Sequence, residues 1–313
     1  MKGRFAPSPS GRMHLGNVYS ALLSYLSARK KGGEWILRVE DLDRQRCKKE
    51  YSAQLLDDLL WLGLKWDNFS SENGGLSAEF FQSNRDSFYI NAFDSLCSQG
   101  LVYDCFCRRA DLLASSAPHA SDGTPVYSGK CRNLSETEKN LLYNTRVPAK
   151  RILTEDKIIS FTDAHFGAQK FNLQTDAGDF VIRRADGNFS YQLAVVVDDA
   201  LMGVTEVVRG RDLLSSTASQ IYLYEKLGFP APEFFHLPLL LGSDGRRLSK
   251  RDKDIDMGFL RQNFTAEELI GKILFLCGMI PKEEKISLAE AVSVFDSQKL
   301  KKEDISVSAV SAI

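Results

Sequence analysis

Two short segments set far apart constrain the fold of this chain most. One is the opening run Arg4-Phe5-Ala6-Pro7-Ser8-Pro9-Ser10-Gly11-Arg12-Met13-His14-Leu15-Gly16-Asn17, and the other is Gly245-Arg246-Arg247-Leu248-Ser249-Lys250-Arg251. Arg4, Phe5 and Ala6 read as a short buried strand, which the Pro, Ser and Gly residues behind them stop. An apolar stripe at Val18, Leu22, Tyr25 and Leu26 then follows the three- and four-residue spacing of a half-buried helix. The segment is a strand-to-helix turn. A helix start presents unpaired backbone N–H groups and the positive end of a dipole, Gly16 allows close approach, and His14 is placed to donate to a phosphoryl oxygen. Taken alone, a match of this kind reads more readily as a proline-rich loop with an ordinary surface histidine, and only its context reverses that. In the second segment, a Ser243-Asp244-Gly245 turn feeds several cations and a hydroxyl onto a few residues, which suits a polyphosphate, with Lys250 the first candidate for the contact. A basic run taken blind is also a solvated face or an RNA contact.

Between the two segments, strand and helix patterns alternate. Trp35–Val39 reads as a strand, Tyr51–Leu62 as a helix with Leu55, Leu56, Leu59 and Leu60 on one face, and Ala78–Gln99 as a second, longer helix. Residues 101 to 178 turn short, irregular and rich in Ser, Asn, Gly and Cys, the pattern of an inserted module. Phe180–Arg183 and Glu206–Arg209 then read as strands, Tyr191–Val197 as a helix start and Ser216–Leu227 as a helix. The division expected is a first half-domain over 1–100, an insertion over 101–178, a second half-domain over 179–255 and a helical region over 256–313.

Composition mostly excludes. The 313 residues are 43% hydrophobic and 26% charged with a formal net charge of -1, so no global field attracts nucleic acid and any RNA contact needs local basic patches. No run approaches the roughly 20 apolar residues of a membrane span, and the N-terminus lacks a signal-peptide core, so a cytoplasmic location without membrane contact is expected. Six unevenly spaced cysteines suit reduced thiols better than a disulfide framework. Cys105, Cys107, Tyr127 and Cys131 fall inside the irregular stretch. Their spacing departs from a paired CxxC knuckle and leaves open both a zinc site and plain thiols in a loop.

Together the two phosphate-type segments resemble the HIGH and KMSKS elements of class I aminoacyl-tRNA synthetases, and Arg4-Phe-Ala-Pro-Ser-Pro narrows the resemblance to the glutamyl-tRNA synthetase group. It covers roughly the first 260 residues and implies an α/β Rossmann-type nucleotide-binding domain with an inserted zinc-containing module and a short helical C-terminal region. It implies ATP binding by His14, Gly16, Asn17, Ser249 and Lys250, with His14 and Lys250 catalytic, and magnesium arriving with the ATP. By similarity of the local motifs RFAPS, RVEDLDR, FSYQLAVVVDD and GVTEVVRG, the glutamate pocket is expected at Arg4, Phe5, Ala6, Pro7, Ser8, Glu40, Tyr191 and Arg209. Glutamate carries two carboxylates and an ammonium, so such a pocket needs cations and an anion; Arg209 is assigned to the side-chain carboxylate, Glu40 and Tyr191 to the ammonium. Asp41 and Asp43 follow closely, but nothing in the sequence makes them metal ligands.

The Cys-x-Cys and Tyr-x-x-x-Cys pattern resembles the insertion of the glutamyl-queuosine tRNA(Asp) synthetases, which implies one structural zinc on Cys105, Cys107, Tyr127 and Cys131. Two departures from full glutamyl-tRNA synthetases point the same way: Val195 stands where they carry Asn, and the stretch past Arg251 is too short for their anticodon-binding region. Asn17 and Arg247 also depart from the usual motif residues, without loss of a donor. The resemblance implies ATP-dependent activation of glutamate and its transfer to queuosine in the anticodon of tRNA(Asp), by a monomer. Two other readings stand beside it: a minimal glutamyl-tRNA synthetase acting on a 3′ end, and an idle RNA-binding paralogue, against which His14, Gly16 and Lys250 argue.

Overall fold

Residues 1–71, 74–108, 126–242, 245–246, 248 and 256–307 are described by the computed structural model. The chain opens with β1 (Lys2–Phe5), α1 (Leu15–Lys30) and β2 (Glu34–Leu37). β1 and β2 pair in parallel from Lys2↔Glu34 to Phe5↔Leu37. A parallel pair requires a crossover, and α1 supplies it, burying Leu15, Val18, Leu22 and Leu26 against the sheet. Then follow α2 (Lys49–Trp61), α3 (Asp86–Ser98), β3 (Val102–Cys105), β4 (Ala149–Ile152), β5 (Ile158–Asp163), β6 (Gly167–Asn172) and β7 (Val181–Arg183). A helix over Tyr191–Leu201 leads into β8 (Glu206–Gly210), a helix over Ser216–Leu227 into β9 (Glu233–Leu237), and β10 (Leu240–Leu241) pairs with β11 (Ile305–Ser306).

The central sheet has the order β2-β1-β8-β9-β5-β6, parallel except for the β5–β6 hairpin at its edge. One apolar cluster joins α1 and α2 to the helices Met257–Asn263 and Ala266–Leu276 on one side. A second gathers α3 and the helices Tyr191–Leu201 and Ser216–Leu227. The sheet is therefore covered on both faces, as a parallel sheet must be.

The strand pairing cuts across the expected division of the chain. β5 and β6, inside 101–178, join the main sheet, whereas β7, beyond it, pairs antiparallel with β4 in a separate sheet of order β3-β4-β7. The long helix expected over Ala78–Gln99 is three elements. Ala78–Phe80 and Gln82–Asn84 are single 3-10 turns and only Asp86–Ser98 is α-helix. Tertiary pairing overrides helix propensity here: Val39 donates to the Phe80 carbonyl and accepts from the Gln82 N–H, which clamps Phe81 beside the end of β2. Residues 256–307 hold three helices, Met257–Asn263, Ala266–Leu276 and Leu288–Val294, but also β11, which composition did not announce.

Candidate functional site

The first motif is rigid because it caps its own helix. His14 has extended backbone (φ -107°, ψ 169°), and its Nδ1 accepts from the Gly16 N–H at 3.1 Å while Asn17 Oδ1 accepts from the His14 N–H at 3.2 Å. This reciprocal cap holds both side chains in place. Because Nδ1 accepts, the ring proton is on Nε2. A Cβ at Gly16 would stand 3.0 Å from His14 Cε1, so any larger residue there would displace the ring. The neighbouring backbone is anchored by Met257, whose N–H donates to the Met13 carbonyl at 2.8 Å.

The carboxyl ends of β1 and β8 and the start of the Tyr191–Leu201 helix open onto one cleft of about 450 Å³. It is bordered by Arg4, Phe5, Ala6, Pro7 and Ser8 from the strand end and the turn after it, and by His14 and Asn17 from the helix cap. Glu40, Tyr191 and Arg209 complete the wall, together with Arg12, Ser20 and Asp212. A smaller recess of about 100 Å³ adjoins, bordered by His14, Gly16, Asn17, Asp212, Leu240 and Leu248. All residues expected for glutamate thus meet with His14, Gly16 and Asn17 in one place. Ser249 and Lys250, expected at the phosphates, lie outside the described residues, as does Arg247.

Beneath the cleft floor lies a buried ionic cluster. Arg38 reaches Asp199 at 2.6 Å, Glu40 at 3.1 Å and Asp198 at 3.5 Å; Arg4 reaches Asp199 at 3.4 Å and donates to the Val208 carbonyl at 3.2 Å. Arg85 donates to Asp198 at 2.6 Å. Three guanidinium groups thus face three carboxylates, and each charge placed there is matched. Burial alone would ease the proton off Arg38, but Asp199, Asp198 and Glu40 outweigh it and hold that proton far more tightly than usual. Burial also pushes the Glu40 carboxyl upward, only partly offset by Arg38 and Arg4.

Arg209, 6% exposed, is held on every donor it has. Its Nε donates to His236 Nε2 at 3.0 Å. One terminal nitrogen donates to Gln220 Oε1 at 2.8 Å and the Tyr191 hydroxyl at 3.5 Å, the other to Thr217 Oγ1 at 2.8 Å and the Leu213 carbonyl at 3.4 Å. Each terminal nitrogen therefore has one short and one long contact. The two long ones are the pair an incoming carboxylate replaces at least cost.

Val195 does not border the cleft: it lies on the same helix face as Tyr191 but one turn deeper, 1% exposed in the apolar core. Asp41 is taken up by the Ser83 N–H and hydroxyl, and Asp43 by Arg46. Sequence reasoning missed Asp163, His236, Thr217 and Gln220 behind Arg209. The one sequence signal was that His236, one of four histidines, sits within the apolar run Phe234-Phe235-His236-Leu237.

The three thiols of Cys105, Cys107 and Cys131 lie within 4.8 Å of one another. Cys107 Sγ is 3.6 Å from Cys131 Sγ, and the Tyr127 oxygen is 3.5 Å from Cys105 Sγ and 3.9 Å from Cys107 Sγ. Four ligands about 2.3 Å from a tetrahedral zinc stand roughly 3.8 Å apart, so the spacing and the soft donor set both fit that ion. Burial, then the neighbouring thiols, push Cys107 up to about 12, whereas the Tyr127 hydroxyl and the Arg151 guanidinium outweigh burial at Cys105 and lower it. Arg151 stacks 3.9 Å over the Tyr127 ring, and so places a positive charge beside a site that gains negative charge when its thiols ionise.

Residues 1–311 match the catalytic domain of the class I tRNA synthetases (E and Q). A glutamyl-Q tRNA(Asp) synthetase of Symbiobacterium thermophilum is 46% identical over 312 residues, covering 98% of this chain and 96% of the relative. A glutamate–tRNA ligase of Aquifex aeolicus is 41% identical over 302 residues, which span 62% of that protein. Among solved structures, a glutamate tRNA ligase from Elizabethkingia meningosepticum, in complex with its amino acid, superposes with a TM-score of 0.82 at 31% identity, covering all of this chain and 68% of the other. The mostly parallel sheet, with the cleft at its strand ends, is that of a class I synthetase catalytic domain. The chain belongs to the class I tRNA synthetases of the glutamyl and glutaminyl group.

Proposed function

We propose that this protein activates glutamate with ATP and transfers it to queuosine in the anticodon of tRNA(Asp). The observation that carries the activation step is the meeting, in one cleft of about 450 Å³, of the capped helix start at His14 with Arg4, Glu40, Tyr191 and Arg209. Arg209 takes the side-chain carboxylate on its two terminal nitrogens, and Glu40 and Tyr191 take the ammonium. The α-carboxylate, already ionised at neutral pH, needs no base and attacks the α-phosphorus in line as pyrophosphate leaves. The proton on His14 Nε2, the positive end of the α1 dipole, whose Gly16 and Asn17 N–H groups are taken up by His14 itself, and Lys250 oppose the charge that builds on the phosphates. Magnesium bound with ATP neutralises part of that charge.

Transfer to queuosine rests on the likeness to relatives bearing that name. Cys105, Cys107, Tyr127 and Cys131 would hold one zinc, which supplies a structural cross-link between the turn after β3 and the segment 126–131. We take the protein to act as a cytoplasmic monomer. Pyrophosphate exchange with each amino acid alone tests activation: glutamate should support it, and equal exchange with aspartate or glutamine sinks the pocket assignment. Charging of tRNA(Asp) from queuosine-replete and queuosine-deficient sources tests the acceptor. Glutamylation should require queuosine and survive removal of the 3′-terminal nucleoside; efficient charging of queuosine-free tRNA(Glu) establishes a 3′-end acceptor instead.

A further inference from the structure

Behind the cleft, three neighbouring parallel strands carry a chain of polar side chains. Asp163 ends β5, His236 lies in β9, and Arg209 lies in β8 as the register partner of His236. Asp163 and His236 are 1% and 0% exposed, and neither borders the cleft. Asp163 Oδ2 accepts from His236 Nδ1 at 2.6 Å and from the His236 backbone N–H at 3.1 Å. Its Oδ1 accepts from the N–H groups of His165 at 3.0 Å and Phe166 at 2.8 Å. Four donors fix the carboxylate, and the carboxylate fixes the ring. A guanidinium has no acceptor, so the 3.0 Å contact from Arg209 Nε requires a bare Nε2 and places the imidazole proton on Nδ1.

The interposed ring matters because of charge. Arg4 and Arg38 meet carboxylates directly, and those contacts cancel their charge locally. All five partners of Arg209 are neutral: an imidazole, an amide oxygen, a carbonyl and two hydroxyls. Asp163 therefore orients the guanidinium through a neutral spacer and leaves its positive charge for an anionic ligand. Burial, partly opposed by Asp163 and reinforced by Arg209, lowers His236 to about 4, which keeps the spacer neutral.

We propose that Asp163 and His236 are positioning residues for glutamate recognition, holding Arg209 through an Nδ1-protonated imidazole so that its guanidinium, hydrogen-bonded to no carboxylate of the protein, meets the substrate's side-chain carboxylate. The proposal rests on the assignment of glutamate to this cleft.

Its test separates binding of the two substrates in pyrophosphate exchange. His236→Leu should raise the glutamate KM roughly 10- to 100-fold, the worth of a misplaced charge-assisted contact, with the ATP KM within about twofold of wild type. His236→Gln offers an acceptor to Arg209 and a donor to Asp163, and should recover most of the loss. Equal rises for glutamate and ATP, or a Gln variant no better than Leu, overturn the proposal. Should His236→Leu fail to fold, Asp163→Asn carries the same comparison, with the same glutamate-specific rise expected. Nitrogen NMR of the wild-type ring at pH 7 gives a readout free of activity: Nδ1–H with bare Nε2 is expected, and an Nε2–H tautomer or an imidazolium refutes the relay. Wild-type protein that shows the expected tautomer but no glutamate-dependent exchange removes the glutamate assignment, and the proposed role with it.

Discussion

Asp198→Ala is the substitution that most directly tests how the cleft is held. Asp198 is fully buried and accepts from Arg85 Nε at 2.6 Å, Gln82 Nε2 at 2.8 Å and the Tyr89 hydroxyl at 2.9 Å, with Arg38 Nε at 3.5 Å. Removing it leaves three buried guanidinium groups facing two carboxylates. Breaking a buried ion pair from one side costs about 3–5 kcal/mol, because the partner charge stays desolvated. Gln82 and Tyr89 each lose an acceptor as well, at about 1–3 kcal/mol apiece before any water enters the space. Arg85 keeps the Glu79 carbonyl and Arg38 keeps Asp199 and Glu40, which offsets part of the loss. A net destabilisation of about 4–6 kcal/mol follows, a fall in Tm on the order of 6–9 °C for a chain of 313 residues. Asp198→Asn, which retains an acceptor, should fall between the variant and wild type. Thermal melting without ligands is the assay; a Tm within about 3 °C of wild type for Asp198→Ala refutes the account of the cluster as the floor of the cleft.

Purified protein should carry one zinc per chain by elemental analysis, and Cys105→Ser or Cys131→Ser should lose it; full zinc in both variants removes the ligand set. Chelation should lower Tm and tRNA charging more than pyrophosphate exchange, since the thiols do not border the cleft. Stability should fall in two stages on acidification. His236, neutral in the fold down to about 4 but basic near 6.5 when unfolded, makes the unfolded chain bind the extra proton, so stability declines from about pH 6.5 downward by on the order of 3 kcal/mol. Burial would raise the carboxyls of Asp163, Asp179 and Asp199, but His236, Arg132 and Arg38 respectively outweigh it and hold them below the usual range. Their contribution is present above about pH 4 and is lost as pH falls below it. Urea midpoints measured from pH 8 to 3 check both stages, and His236→Gln should flatten the first and shrink the second by Asp163's share; a midpoint that rises toward pH 3 contradicts the assignments.

What was legible in the sequence was what is local. The strand-to-helix turn is announced by its prolines and by the stripe at Val18, Leu22 and Leu26, although the cap that His14 and Asn17 form inside it was not read. The helix Ser216–Leu227 falls where its apolar spacing puts it. The long-range contacts were not legible. Asp163 and His236 are 73 residues apart and Gln82 and Asp198 are 116 apart, and no periodicity links them. The break in the helix pattern at Ala78–Asn84 has the same origin, since the pairing with Val39 outweighs local preference. Depth was equally hidden: Val195 shares a helix face with Tyr191, yet one turn further along that face is already apolar core.

The way the strands of residues 101–178 divide between two sheets bears on engineering. A graft that swapped this whole stretch for its counterpart in a relative would also exchange β5 and with it Asp163. The recipient's His236 would then face a foreign partner across the sheet, and the support behind Arg209 would change with it. The transplantable cassette ends before Ile158, not at residue 178, and even then β4 must keep its register with β7, which the host supplies.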